Sequence, residues 1–182
     1  MKVRGLLIVA LVLPVIGAVV ASSIALAGGQ DELTPLRNAI APYHDIAAAK
    51  AAGYVTELPQ TAAFGGGTCI ANGVQGAMGI HQLDTRAGGR LDATLDPVNP
   101  EALLYERRND GTLKLTGVEY IVAEHTPTGT PVPRPSLYGQ QFADTNLARF
   151  GDAATNVWTL HAWVFKPNPG GMFDPWNTRV SC

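Results

Sequence analysis

Thr112-Leu-Lys-Leu-Thr-Gly-Val-Glu-Tyr-Ile-Val-Ala123 is the stretch whose reading decides the fold. Its second half is rich in β-branched and aromatic residues, and the run contains no proline, so it reads as a long strand. Asn109-Asp-Gly111 precedes it, a strong hairpin-turn signal because Asn, Asp and Gly tolerate the left-handed backbone such turns need. Before the turn comes Leu103-Leu-Tyr-Glu-Arg-Arg108, a second strand-like run. Together they predict a β-hairpin. Gly117, inside the longer strand, predicts a bulge or bend.

Three more runs extend the sheet in both directions. Tyr54-Val-Thr-Glu-Leu58 alternates and stops at Pro59, while Ala77 to Leu83 and Val157 to Phe165 are apolar runs of strand length. The one clear helical segment precedes them. Thr34-Pro35 reads as an N-cap with proline at the first helical position, and Gly53 as a C-terminal stop. Pro42 lies between, which predicts a kink or two short helices. Phe64 to Gly73 is a glycine-rich loop without the Lys-Ser/Thr of a phosphate cradle. Ser136 to Phe150 is expected to hold a short helix. Long loops are expected at 84–101, 126–135 and 166–182, the second rich in proline and the third in aromatics.

Strands here do not alternate with helices, so a doubly wound sheet is not expected. The pattern predicts an α+β fold, with the N-terminal helical segment packed on a curved, mainly antiparallel sheet. A small β-barrel or sandwich is the alternative.

Residues 1–27 read as a signal peptide. Lys2 and Arg4 precede an uncharged apolar stretch from Gly5 to Ala27, and Ala25-Leu-Ala27 is a small-x-small cleavage signal. The stretch is also about long enough to span a bilayer, so an N-terminal membrane anchor is the alternative. Residues 28–182 then form one domain of ordinary size. That remainder is modestly acidic and has no basic cluster with interleaved aromatics, which argues against nucleic acid as a partner. After cleavage it has no second membrane-spanning run. Export makes a disulfide between Cys69 and Cys182 the expected use of the two cysteines. Thiolate metal ligation is the alternative, but the spacing is unlike that of a zinc ribbon.

The chain has four histidines, and three occupy positions that call for explanation. Side chains alternate across a strand. His81 therefore shares a face with Ala77, Gly79 and Leu83. His161 shares one with Thr159 and Trp163. Glu119 shares one with Leu115, Gly117 and Ile121. Each run thus holds one ionisable residue beside a small or weakly polar neighbour. If the helix covers that face, His44 joins them.

Three imidazoles and a carboxylate suit a divalent transition metal such as Fe, Mn, Ni, Cu or Zn. Tyr43, Asp45 and His125 are candidates for the outer shell or substrate side. The competing reading treats each histidine as a hydrogen-bonded core residue and pairs Glu119 with Arg107 or Lys114. There is no G-x-S-x-G and no H-E-x-x-H. The ligand inventory is similar to that of cupins, but their H-x-H spacing is absent. The expectation is a secreted metal-binding protein, with an oxidoreductase-like reaction on a small molecule as its enzymatic form. The rival is a non-catalytic ligand-binding or structural envelope protein.

Overall fold

The computed structural model describes residues 32–57, 68–84, 92–146 and 156–182. The predicted signal segment lies outside them, as do parts of the glycine-rich loop and of the 136–150 region. Among the described residues the architecture is a curled antiparallel sheet with few helices. The fold is thus mostly sheet, and the α+β expectation holds only in part.

The helical segment breaks where Pro42 predicts. Helix α1 spans Thr34–Ile40, a 3-10 turn covers Ala41–His44, and α2 spans Ile46–Ala51. Asp45 caps α2 by accepting a hydrogen bond from Ala47 N at 2.9 Å. Strands follow as β1 (Tyr54–Glu57), β2 (Cys69–Asn72), β3 (Gly76–Asp84), β4 (Ala102–Arg107) and β5 (Leu113–Ala123). Then come β6 (Ser136–Leu137), β7 (Gln140–Gln141), β8 (Ala143–Asn146) and β9 (Asn156–Ala162). The main sheet runs β1-β3-β4-β5-β9-β8, with β2 also paired to β3, and β6-β7 form a separate hairpin.

Two expectations are corrected. The glycine-rich loop contains a strand, β2, because Cys69 to Asn72 pairs with the edge of β3. The helix expected between Ser136 and Phe150 is replaced, where described, by β6, β7 and β8. The β6–β7 turn is set by Tyr138 and Gly139, both at positive φ, and that backbone cannot continue a helix.

The β4–β5 hairpin forms as read. Asp110 Oδ1 accepts hydrogen bonds from Thr112 N and Oγ1 at 2.9 and 2.6 Å. The bulge is one residue from Gly117. Leu104 pairs with Gly117 and Tyr105 with Leu115, which leaves Thr116 as the extra residue. Its hydroxyl donates to Leu104 O at 2.9 Å. Gly117 itself is held by close packing, since a Cβ there would lie 2.5 Å from Ala162 O.

The bulge has a consequence for the faces. It moves Leu115 to the side of Val118, Tyr120 and Val122, away from Gly117 and Glu119. Glu119 lies beyond the bulge and keeps its expected side.

The two faces bury different cores. One carries Ile80, Leu103, Tyr105, Leu115, Val118, Tyr120, Leu160 and Ala162, and the helical segment packs there through Leu33, Leu36, Ile40 and Ala49. The other carries Leu83, Ala102, Ile121 and Val157 with Ile70 and Trp176, and, beside these, Leu104 and Trp163 with Ala77 and Val180. β2 extends the sheet along β3 and adds Ile70 to this second face, and the end of the tail packs on it through Trp176 and Val180, with Asn177 bridging to Ala77 through two backbone hydrogen bonds of 3.0 and 3.1 Å. The Cys69–Cys182 disulfide ties β2 to the end of that tail.

Candidate metal centre

His81, Glu119 and His161 meet on the second face. Register explains how. Glu119 on β5 is the direct cross-strand partner of His161 on β9. On its other side Glu119 faces Ala102 of β4, whose methyl leaves room for side chains to lean across it. His81 lies one strand further, on β3, opposite Leu104. The imidazole therefore reaches over β4 toward the carboxylate.

Each carboxylate oxygen faces one ring. His81 Nε2 lies 3.2 Å from Glu119 Oε2, and His161 Nδ1 lies 3.5 Å from Glu119 Oε1. The two rings stand edge-to-face with centroids 5.8 Å apart. All three residues are buried, at 1%, 6% and 3% exposure for His81, Glu119 and His161. One donor atom from each falls within 4.8 Å of the others, a group that could hold a metal ion.

The spacing suits that use. Two N/O ligands of a tetrahedral ion at ordinary bond lengths stand about 3.4 Å apart, and about 2.9 Å apart on an octahedral one. The observed contacts lie near the tetrahedral figure. The second contact is also longer than an ordinary N–H···O bond.

The far side of His81 adds a constraint. Its Nδ1 lies 3.3 Å from Gly79 O; with the proton on Nδ1 that contact is a hydrogen bond, and Nε2 is left facing the carboxylate as a metal donor. His161 Nε2 is buried and has no hydrogen-bond partner.

Electrostatics fit a poised donor set. Burial pushes the Glu119 carboxyl up, but the neighbouring charge of His161 and the hydrogen bond and charge of His81 outweigh it and hold the group below its ordinary value. Burial pulls His161 down, against the opposing pull of Glu119, and the net is a lowered proton affinity. Both groups are thus biased toward the deprotonated forms that bind metals.

No protein-family model, curated protein or solved structure matches this chain. The chemistry of the site is therefore argued from its geometry.

His44 is not with the other three. The helical segment packs on the opposite face of the sheet, and His44 ends the 3-10 turn as an exposed side chain against Phe165, with ring centroids 4.4 Å apart. Tyr43 and Asp45 share that face. Tyr43 O accepts from the Tyr105 hydroxyl at 2.6 Å, and Asp45 serves as the α2 cap. His125 is exposed, in a bridge with Pro131. None of these four reaches the buried group. Arg107 and Lys114 do not pair with Glu119 either. Lys114 stands 3.9 Å from Glu106, which also pairs with Lys166.

Two residues that sequence reading did not single out belong to the site. The Gly79 carbonyl orients His81, from a backbone at φ +89° that favours glycine. Asp174, in the tail, adds its charge to the surroundings of His161. A glycine two residues before a mid-strand histidine is the signal that was there to find.

Proposed function

We propose that this chain is an extracytoplasmic metal-binding protein that holds one divalent first-row transition ion through His81, Glu119 and His161. The observation that carries the reading is the buried convergence of three donor atoms within 4.8 Å of one another, with His81 Nε2 3.2 Å from a Glu119 oxygen. The donor types suit Fe, Mn, Ni, Cu or Zn, and two imidazoles with one carboxylate are a recurrent set for such ions. The disulfide agrees with a location outside the cytoplasm.

Three protein donors leave at least one coordination position for water or a small exogenous ligand. In its enzymatic form the reading is an oxidoreductase-like reaction on a small molecule at that position. There the bound ion would supply Lewis acidity or redox chemistry. Glu119 and the imidazoles would hold it, with Gly79 O fixing the orientation of His81.

The test is metal content of the purified protein after loading and desalting, beside His81→Ala and His161→Ala. One ion per chain is expected in the parent and a substoichiometric amount in both variants. Full metal in both variants would refute the site.

The near-complete burial of the group favours a second reading, in which the histidines and Glu119 are a charge-paired core element of a structural or ligand-binding protein. That reading predicts no retained metal in the parent.

A further inference from the structure

The end of the tail, from Asp174 on, packs on the face that carries the site, whereas Phe165, Met172 and Phe173 pack on the opposite core. Trp176 packs with Ala102 and Ile121, and Val180 packs with Leu104 and Trp163. Ala102 is the cross-strand partner of Glu119, and Leu104 is that of His81. Ile121 and Trp163 stand two residues from Glu119 and His161 on the same strand face. The buried group is thus flanked by two apolar clusters, and each includes a tail side chain.

Backbone contacts hold the tail between these anchors. Trp163 N donates to Met172 O at 2.9 Å, and the Trp163 indole donates to Asp174 O at 2.6 Å. Asn177 is fully buried and paired to Ala77 in both directions. Beyond Val180, the disulfide fastens Cys182 to Cys69 in β2, the strand paired to β3.

We infer that residues 174–182 are a strap over the metal centre, and that the Cys69–Cys182 bond locks it shut. An ion exchanges with solvent only when the strap lifts. Lifting it must break the Asn177 bridge and expose Trp176 and Val180 together. With both ends fastened, that opening is a cooperative, rarely populated event. Loading therefore belongs to the stage before the disulfide closes, and the closed protein retains what it has. This rests on the metal-binding reading, and it adds a prediction about rate where that reading predicts stoichiometry.

The experiment uses the full chain with its disulfide formed, beside Cys69→Ser/Cys182→Ser. Serine avoids the free thiols that would bind metal themselves. A Trp176→Ala variant keeps the disulfide and loosens only the cover, so the test survives poor folding of the double variant. Each protein is loaded with Co(II) during refolding, and ion release to excess chelator is followed by absorbance.

Release about tenfold or more faster in the double variant is expected, with a smaller acceleration in Trp176→Ala. Equal release rates at equal stoichiometry would overturn the strap and leave the metal site standing. Failure of every protein to bind Co(II) would overturn both readings.

A metal-free readout separates the two. Imidazole acylation by diethyl pyrocarbonate, mapped by mass spectrometry, should spare His81 and His161 in the closed protein and modify them in the double variant. The exposed His44 and His125 should react in both and serve as internal standards. Protection of His81 and His161 that survives loss of the disulfide and of Trp176 would refute the strap.

Discussion

Replacing Glu119 by glutamine separates the metal reading from the core reading, because the two predict different outcomes. The substitution keeps the shape and removes the charge. In the metal-free protein the amide can still meet both rings. Its NH2 can donate to the lone pair of His81 Nε2, now 3.2 Å from Oε2, and its oxygen can accept from His161 Nδ1, now 3.5 Å from Oε1. It also relieves the burial of a carboxylate that is 6% exposed. The metal-free variant keeps both ring contacts but loses the stabilisation that goes with Glu119's lowered proton affinity, so it should melt a little below the parent.

Metal binding should suffer. Loss even of an outer partner costs about 10–100-fold in affinity, so loss of a charged ligand should cost about 100-fold or more. At a free metal concentration about 100 times the parent dissociation constant, the parent gains about 2.7 kcal/mol. The variant, at about its own dissociation constant, gains about 0.4 kcal/mol. For a domain of this size the missing 2.3 kcal/mol or so is a difference of about 5–9 °C in the metal-induced rise of melting temperature. Differential scanning calorimetry with and without Zn(II) reads both quantities. The reasoning is refuted if the metal-induced rise is the same in parent and variant. It is also refuted if the metal-free variant loses several kcal/mol, as a disrupted buried ion pair would.

Other outcomes follow from the same geometry. His44→Ala and His125→Ala should leave metal stoichiometry unchanged, since both side chains are exposed and away from the buried group; metal analysis that shows a loss in either would contradict the placement. In the metal-free protein, acid should destabilise. His161 has a lowered proton affinity when folded, so the unfolded chain takes up its proton first as pH falls below the ordinary imidazole value of 6.5. Glu119 is held low, so its contribution is present above the ordinary carboxylate value of 4.5 and is lost as pH falls through its lowered one. Urea midpoints that are flat from pH 8 to pH 5 would contradict the first expectation, and midpoints that stay flat as pH falls below 4.5 would contradict the second. Gly117→Ala would place a Cβ 2.5 Å from Ala162 O beside the His161 strand, and should cost about 1–3 kcal/mol in urea unfolding; no change would mean the β5–β9 contact is looser than described.

Strand parity made much of the site legible. His81, Glu119 and His161 could be placed on one face by alternation, because each strand had a mid-run ionisable residue whose neighbours were small or apolar. Alternation failed at Leu115, where the Thr116 bulge shifts the count by one residue. The bulge happens to fall before Glu119, so the important parity survived it.

Which face the helix covers could not be read from either sequence alone. The apolar side of the helical segment and both sides of β3, β4 and β5 are hydrophobic, so any pairing of faces looks acceptable. The choice went to Tyr105, Val118 and Tyr120, which left His44 on the wrong side of the sheet. The β2 strand was hidden by the glycines on either side of it, Gly65 to Gly67 and Gly73, whose presence reads as loop. The tail's aromatics signalled that it would pack down, and the two cysteines signalled where it would be fastened. Neither said that it would pack over the histidines.

Anomalous diffraction from crystals of the protein refolded with Zn(II) tests the central claim most directly. The account predicts one strong peak per chain within about 2.0–2.2 Å of His81 Nε2, a Glu119 oxygen and a His161 nitrogen. Crystals grown from metal-loaded protein with no peak among those three side chains, and their direct contacts of 3.2 and 3.5 Å intact, would contradict it.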